Sequence, residues 1–205
     1  MSAPDLAALV SARLCHDLIS PMGAIGNGLE LLQMSPGTAG PELALINDSL
    51  ATALAKLRFY RVAFGPADEQ ARQSFEEAAT ITDAMFQGRF TVAWEAEGAD
   101  MPRPVARLIY LAVLCLEKSL PMGGRVRVRV GADGIGLVVE GRRTAPPAEL
   151  WAHVTRGAAV PDLRPDGVQF ALLAQALPAT GHRIDAAFSE SGAELRMTAE
   201  SAMLV

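Results

Sequence analysis

The chain has 205 residues, half of them hydrophobic and a fifth charged, which excludes a disordered protein and leaves room for one large domain or two small ones. A net charge of −5 without any basic run argues against a nucleic-acid partner, and no apolar run approaches the ~20 residues that span a bilayer. Cys15 and Cys115, the only cysteines, lack metal-ligand spacing and read as free thiols. Met1 to Asp5 show no secretory signal, so the expectation is a cytoplasmic protein with neither a membrane nor a metal site.

A first helix is expected from about Pro4 to Met34, with Ser2 as its cap and Asp5 in its first turn. Leu14, Leu18, Pro21, Ile25, Leu29 and Leu32 recur at intervals of three and four, the apolar stripe of a packed helix. His16 falls about 200° round from Leu14, at ~100° per residue, and so points to solvent. Ser20, Gly23, Asn27 and Glu30 continue its face with small and polar residues, a surface on which another protein can dock. Pro21 removes one backbone hydrogen bond and predicts a bend or loosening just after His16.

Ser35 to Pro41, with two prolines and two glycines, is a turn. A second helix is expected from Glu42 to Phe64, with Leu43, Ile46, Leu50, Leu54, Leu57 and Phe64 as its stripe. The two helices make an antiparallel hairpin that buries too little alone. Two hairpins from two chains make a four-helix bundle, which predicts a homodimer. Gly65-Pro66 ends the second helix and divides the chain into a hairpin over 1–65 and a second domain over 66–205.

In the second domain a helix is expected from Asp68 to Met85, a strand from Arg89 to Glu97, and a very apolar helix from Pro102 to Leu120. Arg125 to Val130 alternates strictly, with arginines on its wet face, and turns through Ala132-Asp-Gly134 into a strand from Ile135 to Glu140. Helices near Pro147–Val154 and Gly167–Leu177 precede closing strands at His182–Phe188 and Ala193–Ala199. The class is α+β, a helical hairpin followed by an α/β sandwich with helices packed on one sheet.

Walker, G-x-S-x-G and H-E-x-x-H motifs are absent, and Gly131, Gly134 and Gly136 are hairpin glycines. Cys15 and His16 diverge by ~100° as helix neighbours and do not form a nucleophile–base dyad. His153 and His182 are isolated and read as structural. For His16 the surrounding string matters more. Cys15-His16-Asp17-Leu18-Ile19-Ser20-Pro21 resembles the phosphoacceptor box of two-component histidine kinases, a His-acidic-x-x-x-Pro pattern. With Met22-Gly-Ala-Ile-Gly-Asn-Gly-Leu-Glu-Leu-Leu32 and Arg61-Val-Ala-Phe-Gly65, nearly the whole chain resembles the ChpT-like histidine phosphotransferases of alphaproteobacteria.

That resemblance implies a dimeric kinase-like hairpin joined to a degenerate kinase ATPase domain. Where a kinase helix bears a magnesium-holding Asn, Leu108 to Leu120 contains none. Where Asp-x-Gly-x-Gly would read adenine, the chain has Gly141-Arg-Arg-Thr-Ala-Pro-Pro147, and Asp166-Gly-Val-Gln169 keeps a single glycine of the later box. Losing metal ligand, adenine carboxylate and phosphate-cradling glycines together predicts no ATP binding.

The implied activity is relay of a phosphoryl group between receiver-domain aspartates through His16, with Mg2+ brought by the receivers and no cofactor of the chain's own. The implied partners are a CckA-like hybrid kinase and CtrA-like and CpdR-like regulators. Two roles fit Asp17: accepting a hydrogen bond from the imidazole Nδ1–H, which fixes the tautomer, or an i,i+4 pair with Arg13. Arg13, Ser20, Gly23, Asn27 and Glu30 are the docking candidates. Ser20 either hydrogen-bonds the phosphoryl group or leaves room for an approaching helix. An ATP-dependent kinase fragment and a non-catalytic signalling scaffold are the alternatives.

Overall fold

Asp5 starts the first helix. Its carboxylate accepts from the Ala8 N–H at 3.1 Å, so it is the cap itself and not a first-turn residue, and helix α1 runs Leu6–Met34. The computed structural model describes residues 5–34, 40–96, 98–131 and 134–199, so the expected cap Ser2 and most of the turn after Met34 lie outside the described residues. Helix α2, Gly40–Ala63, returns antiparallel beside α1.

The two helices meet closely at Gly28, which is buried. A Cβ there would stand 2.6 Å from Ile46 Cγ1. This contact corrects the expected stripe. Gly28 takes the buried position, and Leu29 beside it is turned out, 49% exposed. On α2, likewise, Leu43, Leu50, Leu54 and Leu57 are more than two-fifths exposed, while Ser49, Ala53, Ala55, Phe59 and Tyr60 are buried. Helices that touch along small residues leave their leucines free for something else.

The helix expected from Asp68 begins later. Arg72–Ser74 is a short strand β1, and helix α3 occupies Phe75–Met85. Ser74 fixes that start, its hydroxyl accepting from the Glu77 N–H at 3.0 Å. Strand β2 follows at Phe90–Ala96, then the short β3, Asp100–Pro102, which pairs antiparallel with β1. Non-local pairing of this kind, three residues against three, is not visible in local periodicity.

Helix α4, Arg103–Ser119, leads to β4, Gly124–Gly131, and β5, Gly134–Gly141. Helix α5, Ala148–Arg156, a single 3-10 turn, Pro165–Gly167, and α6, Val168–Ala179, precede β6, His182–Phe188, and β7, Gly192–Ala199. The five long strands form one sheet in the order β2-β4-β5-β7-β6, parallel only between β2 and β4, where α4 makes the crossover.

Val126, Val128, Leu137, Val139, Leu195 and Met197 point from the sheet into the core with the period of two that their strands require. The arginines of β4 face the other way, and two of them pair with carboxylates, Arg129 with Glu95 at 2.8 Å and Arg127 with Glu140 at 2.5 Å. α4 is buried from Leu108 through Leu116 on every side. Trp151 of α5 closes over its end, donating to Ser119 Oγ at 2.9 Å and packing edge-on against Phe170 and Phe188.

One core runs through both parts of the chain. Phe59 of α2 is fully buried, with its ring centroid 4.7 Å from that of Tyr110 on α4 and 5.2 Å from that of Phe86. Val62 and Ala63 join it. The hairpin of 1–65 thus shares the core of the part that follows Gly65-Pro66. The base of the hairpin is seated in the α/β core, which fixes where its upper turns stand.

Candidate functional site

His16 sits in the N-terminal half of α1 with its imidazole 85% exposed. Its backbone is rigid, and its ring is free to be met from outside. Arg13 and Asp17, one helical turn apart, point the other way, their side chains only 17% and 13% exposed. Lys56 and Tyr60, also one turn apart, face them from α2.

Asp17 collects these groups. Its Oδ1 lies 3.0 Å from His16 Nδ1, and its Oδ2 accepts from Arg13 Nε at 2.5 Å and from the Tyr60 hydroxyl. The two roles open to Asp17 from the sequence therefore coexist, one on each oxygen. Burial alone would push the Asp17 carboxyl up. The hydrogen bonds from His16, Tyr60 and Arg13 outweigh it and hold the group below the usual carboxylate range. Burial and the adjacent Asp17 carboxylate push the Tyr60 phenol up, so it keeps its proton and donates. Asp17 is then an acceptor only. The hydrogen on Nδ1 must belong to His16, and the Nε2 lone pair is left outward.

Pro21 has a specific consequence here. Lacking an N–H, it leaves the carbonyl of Asp17, four residues earlier, without a helical donor. Lys56 Nζ supplies one at 2.8 Å. The helix is unbroken from Leu6 to Met34, and a side chain from α2 takes the place of the missing donor.

The α/β part reaches the same cluster. Arg13 Nη1 donates to the backbone carbonyl of Asp166 at 3.2 Å, which also accepts from Gln169 Nε2 at 3.1 Å. The Asp166 carboxylate pairs with Lys118 of α4 at 2.6 Å, which holds it below its ordinary range. Arg13, read from the sequence as a docking residue, instead turns inward and spends its guanidinium on Asp17 and Asp166. Burial acts to lower its pKa, but the hydrogen bonds and charge interactions with Asp17 and Tyr60 together outweigh it and raise it, so its charge is secure.

Ser20, Gly23, Asn27 and Glu30 are all exposed. A Cβ on Gly23 would meet nothing within 4 Å, so the surface above His16 is open. Ile19, 73% exposed, and Met22 add apolar area beside it. Sequence reasoning missed Lys56, Tyr60, Lys118 and Asp166. Their one local signal was two polar residues four apart, Lys56 and Tyr60, breaking the buried side of α2. Their partners lie 39 and 43 residues away. Among the described residues no cluster of His, Cys, Asp and Glu could hold a metal, and no helix is long and apolar enough to cross a membrane.

The family described as the histidine phosphotransferase C-terminal domain matches residues 75–192. The protein phosphotransferase ChpT of Brucella abortus (strain 2308) is 37% identical over 162 residues, covering 75% of this chain and 76% of that protein. A solved bacterial phosphotransferase superposes with a TM-score of 0.79 at 30% identity, over 96% of this chain and 97% of the other. A histidine kinase domain from Erythrobacter litoralis aligns over 96% of this chain and 94% of its own at 15% identity, with a TM-score of 0.44. The chain belongs to the histidine phosphotransferase family, and it is a histidine phosphotransferase.

Proposed function

We propose that His16 is the phosphoacceptor, relaying a phosphoryl group between aspartates of receiver domains without ATP. One observation carries this: an imidazole 85% exposed whose Nδ1 is anchored on a carboxylate, leaving Nε2 toward solvent. The Nε2 lone pair attacks the phosphorus of a receiver's aspartyl phosphate. The P–O bond to that aspartate breaks, and its electron pair leaves with the carboxylate. The imidazole, still carrying the Nδ1 hydrogen, gains positive charge as the N–P bond forms. Asp17 stands 3.0 Å away to stabilise that charge, in place before it develops. The second transfer is the same step reversed, onto an acceptor aspartate. In-line placement between two proteins supplies most of the acceleration, and the receivers bring the Mg2+.

Ser20, Gly23, Asn27 and Glu30 form the docking strip, and Gly23 lets a receiver helix approach the backbone. The donor is the receiver of a hybrid kinase of the CckA type, and the acceptors are regulators of the CtrA and CpdR types, as the family resemblance implies. The exposed leucines of α2, with Leu29 of α1, are the surface through which two copies form a four-helix bundle. Independence from ATP is supported by α4, which is packed on every side by apolar residues and offers no amide or carboxylate to a nucleotide's metal between Leu108 and Leu116.

The test is incubation with a receiver domain phosphorylated with labelled phosphate. Wild type should take up acid-labile, alkali-stable label, and His16→Ala none. Equal uptake by both would show that His16 is not the acceptor. Labelled ATP alone should leave the wild type unlabelled, and label on His16 from ATP would overturn the ATP-independent part.

A further inference from the structure

The phosphoacceptor helix does not hold its own site. Arg13 and Asp17 lie four apart on α1, and Lys56 and Tyr60 lie four apart on α2. The two pairs face each other across the hairpin, joined through the single residue Asp17. Tyr60 fixes the carboxylate and Lys56 fixes the carbonyl that Pro21 left without a donor. Residues of α2 therefore hold both ends of Asp17, side chain and backbone.

We infer that Tyr60 and Lys56 are positioning residues for phosphoryl transfer, orienting Asp17 so that His16 is held as the Nδ1–H tautomer with Nε2 free. The inference rests on His16 being the phosphoacceptor. A lone carboxylate next to histidine in a helix has two free torsions and can turn to solvent or wholly to Arg13. With Oδ2 bound by the Tyr60 hydroxyl and Arg13 Nε, only Oδ1 remains, and it lies at the imidazole. Tyr60 is itself rigid, stacked on Phe64 with ring centroids 5.0 Å apart and set edge-on against Phe59. Phe59 is anchored in the α/β core. The chain of contact runs from that core through two aromatic rings to the carboxylate and then to the reacting nitrogen. Rotation of the imidazole by a fraction of a turn would remove Nε2 from the line of attack, a loss of the size expected from a misplacement of about 1 Å.

Tyr60→Phe removes one hydroxyl and keeps both ring contacts, and Lys56→Met keeps the aliphatic stem. Single-turnover transfer from a phosphorylated receiver should slow roughly tenfold or more in each, with Lys56→Arg retaining most of the rate. A purely structural role would not move the second readout. 15N spectra of the imidazole in alkaline solution, where histidine is neutral, should show Nδ1–H for His16 in the wild type and a shift toward Nε2–H in Tyr60→Phe. His16→Ala assigns that resonance. A wild-type rate and tautomer in Tyr60→Phe would overturn the inference, as would a rate loss that comes with a collapsed melting temperature and an unchanged tautomer. Failure of the phosphoacceptor reading is separate: it appears as label on His16→Ala.

Discussion

At the scale of the residue, Asp17 is where charge, hydrogen bonding and burial converge. Its folded-state carboxyl is held below the ordinary value of 3.8. A group depressed on folding contributes stability that is present above its unfolded pKa and is lost as pH falls through the folded one. Asp17→Asn should therefore be less stable than wild type at neutral pH, and the gap should narrow as pH drops below that ordinary value. Thermal melts of both proteins across that range measure it. A gap that stays constant or widens would mean that the Arg13 and Tyr60 contacts do not depend on the Asp17 charge. His16 itself was legible from the sequence because exposure on a helix is a matter of angle. The partner of its partner, Tyr60, was not.

At the scale of the element, glycines set how closely segments approach. Gly28 brings α1 against Ile46 of α2, and the displaced Leu29 shows how one missing side chain rotates the choice of buried face. Gly123 turns the chain from α4 into β4 at φ +80°, and a Cβ there would lie 2.2 Å from the backbone oxygen of Arg89. That oxygen is held in place by the Gly124 N–H at 2.8 Å, so it cannot withdraw. Gly123→Ala combines backbone strain with a clash against main chain and should cost roughly 2 kcal/mol or more in urea unfolding. A change within about 0.5 kcal/mol, the range of an ordinary surface substitution, would show the turn to be softer than its geometry. The turn itself was readable from Pro121-Met-Gly-Gly124, but the reason for Gly123 lies at the Arg89 carbonyl, just before β2.

At the scale of the molecule, the proposed dimer covers the leucines that α1 and α2 leave in solvent. Leu43, Leu50, Leu54 and Leu57 recur along α2 at helical spacing, each 42–47% exposed. Each is already more than half buried, so covering the rest yields roughly half of the ~1.5–3 kcal/mol of a full burial, and the row together favours association. Sedimentation should find a dimer for the wild type and a monomer for Leu50→Glu, with unchanged helical content, since Leu50 makes little of the single chain's core. A dimer that persists in Leu50→Glu and in Leu54→Glu would place the contact elsewhere. Phe59, with Tyr110 and Phe86 around it, ties the hairpin to the α/β core, so neither part should melt separately.

The sequence by itself determined the helices, the long strands and the exposed histidine, because helical and strand periods are local and each residue's face follows from counting. It also carried the His-acidic-x-x-x-Pro string, which is contiguous. Only the tertiary structure decided which leucines are buried, where α3 begins and which residues complete the site. The start of α3 depends on the pairing of β1 with β3, Arg72 opposite Pro102 and Ser74 opposite Asp100, reinforced by the Arg72–Asp100 side-chain pair. The hold on Asp17 depends on two side chains from α2 and, through Arg13, on a carbonyl 153 residues distant. Such contacts are selected by how whole elements pack, and packing closes distances that no spacing along the chain records.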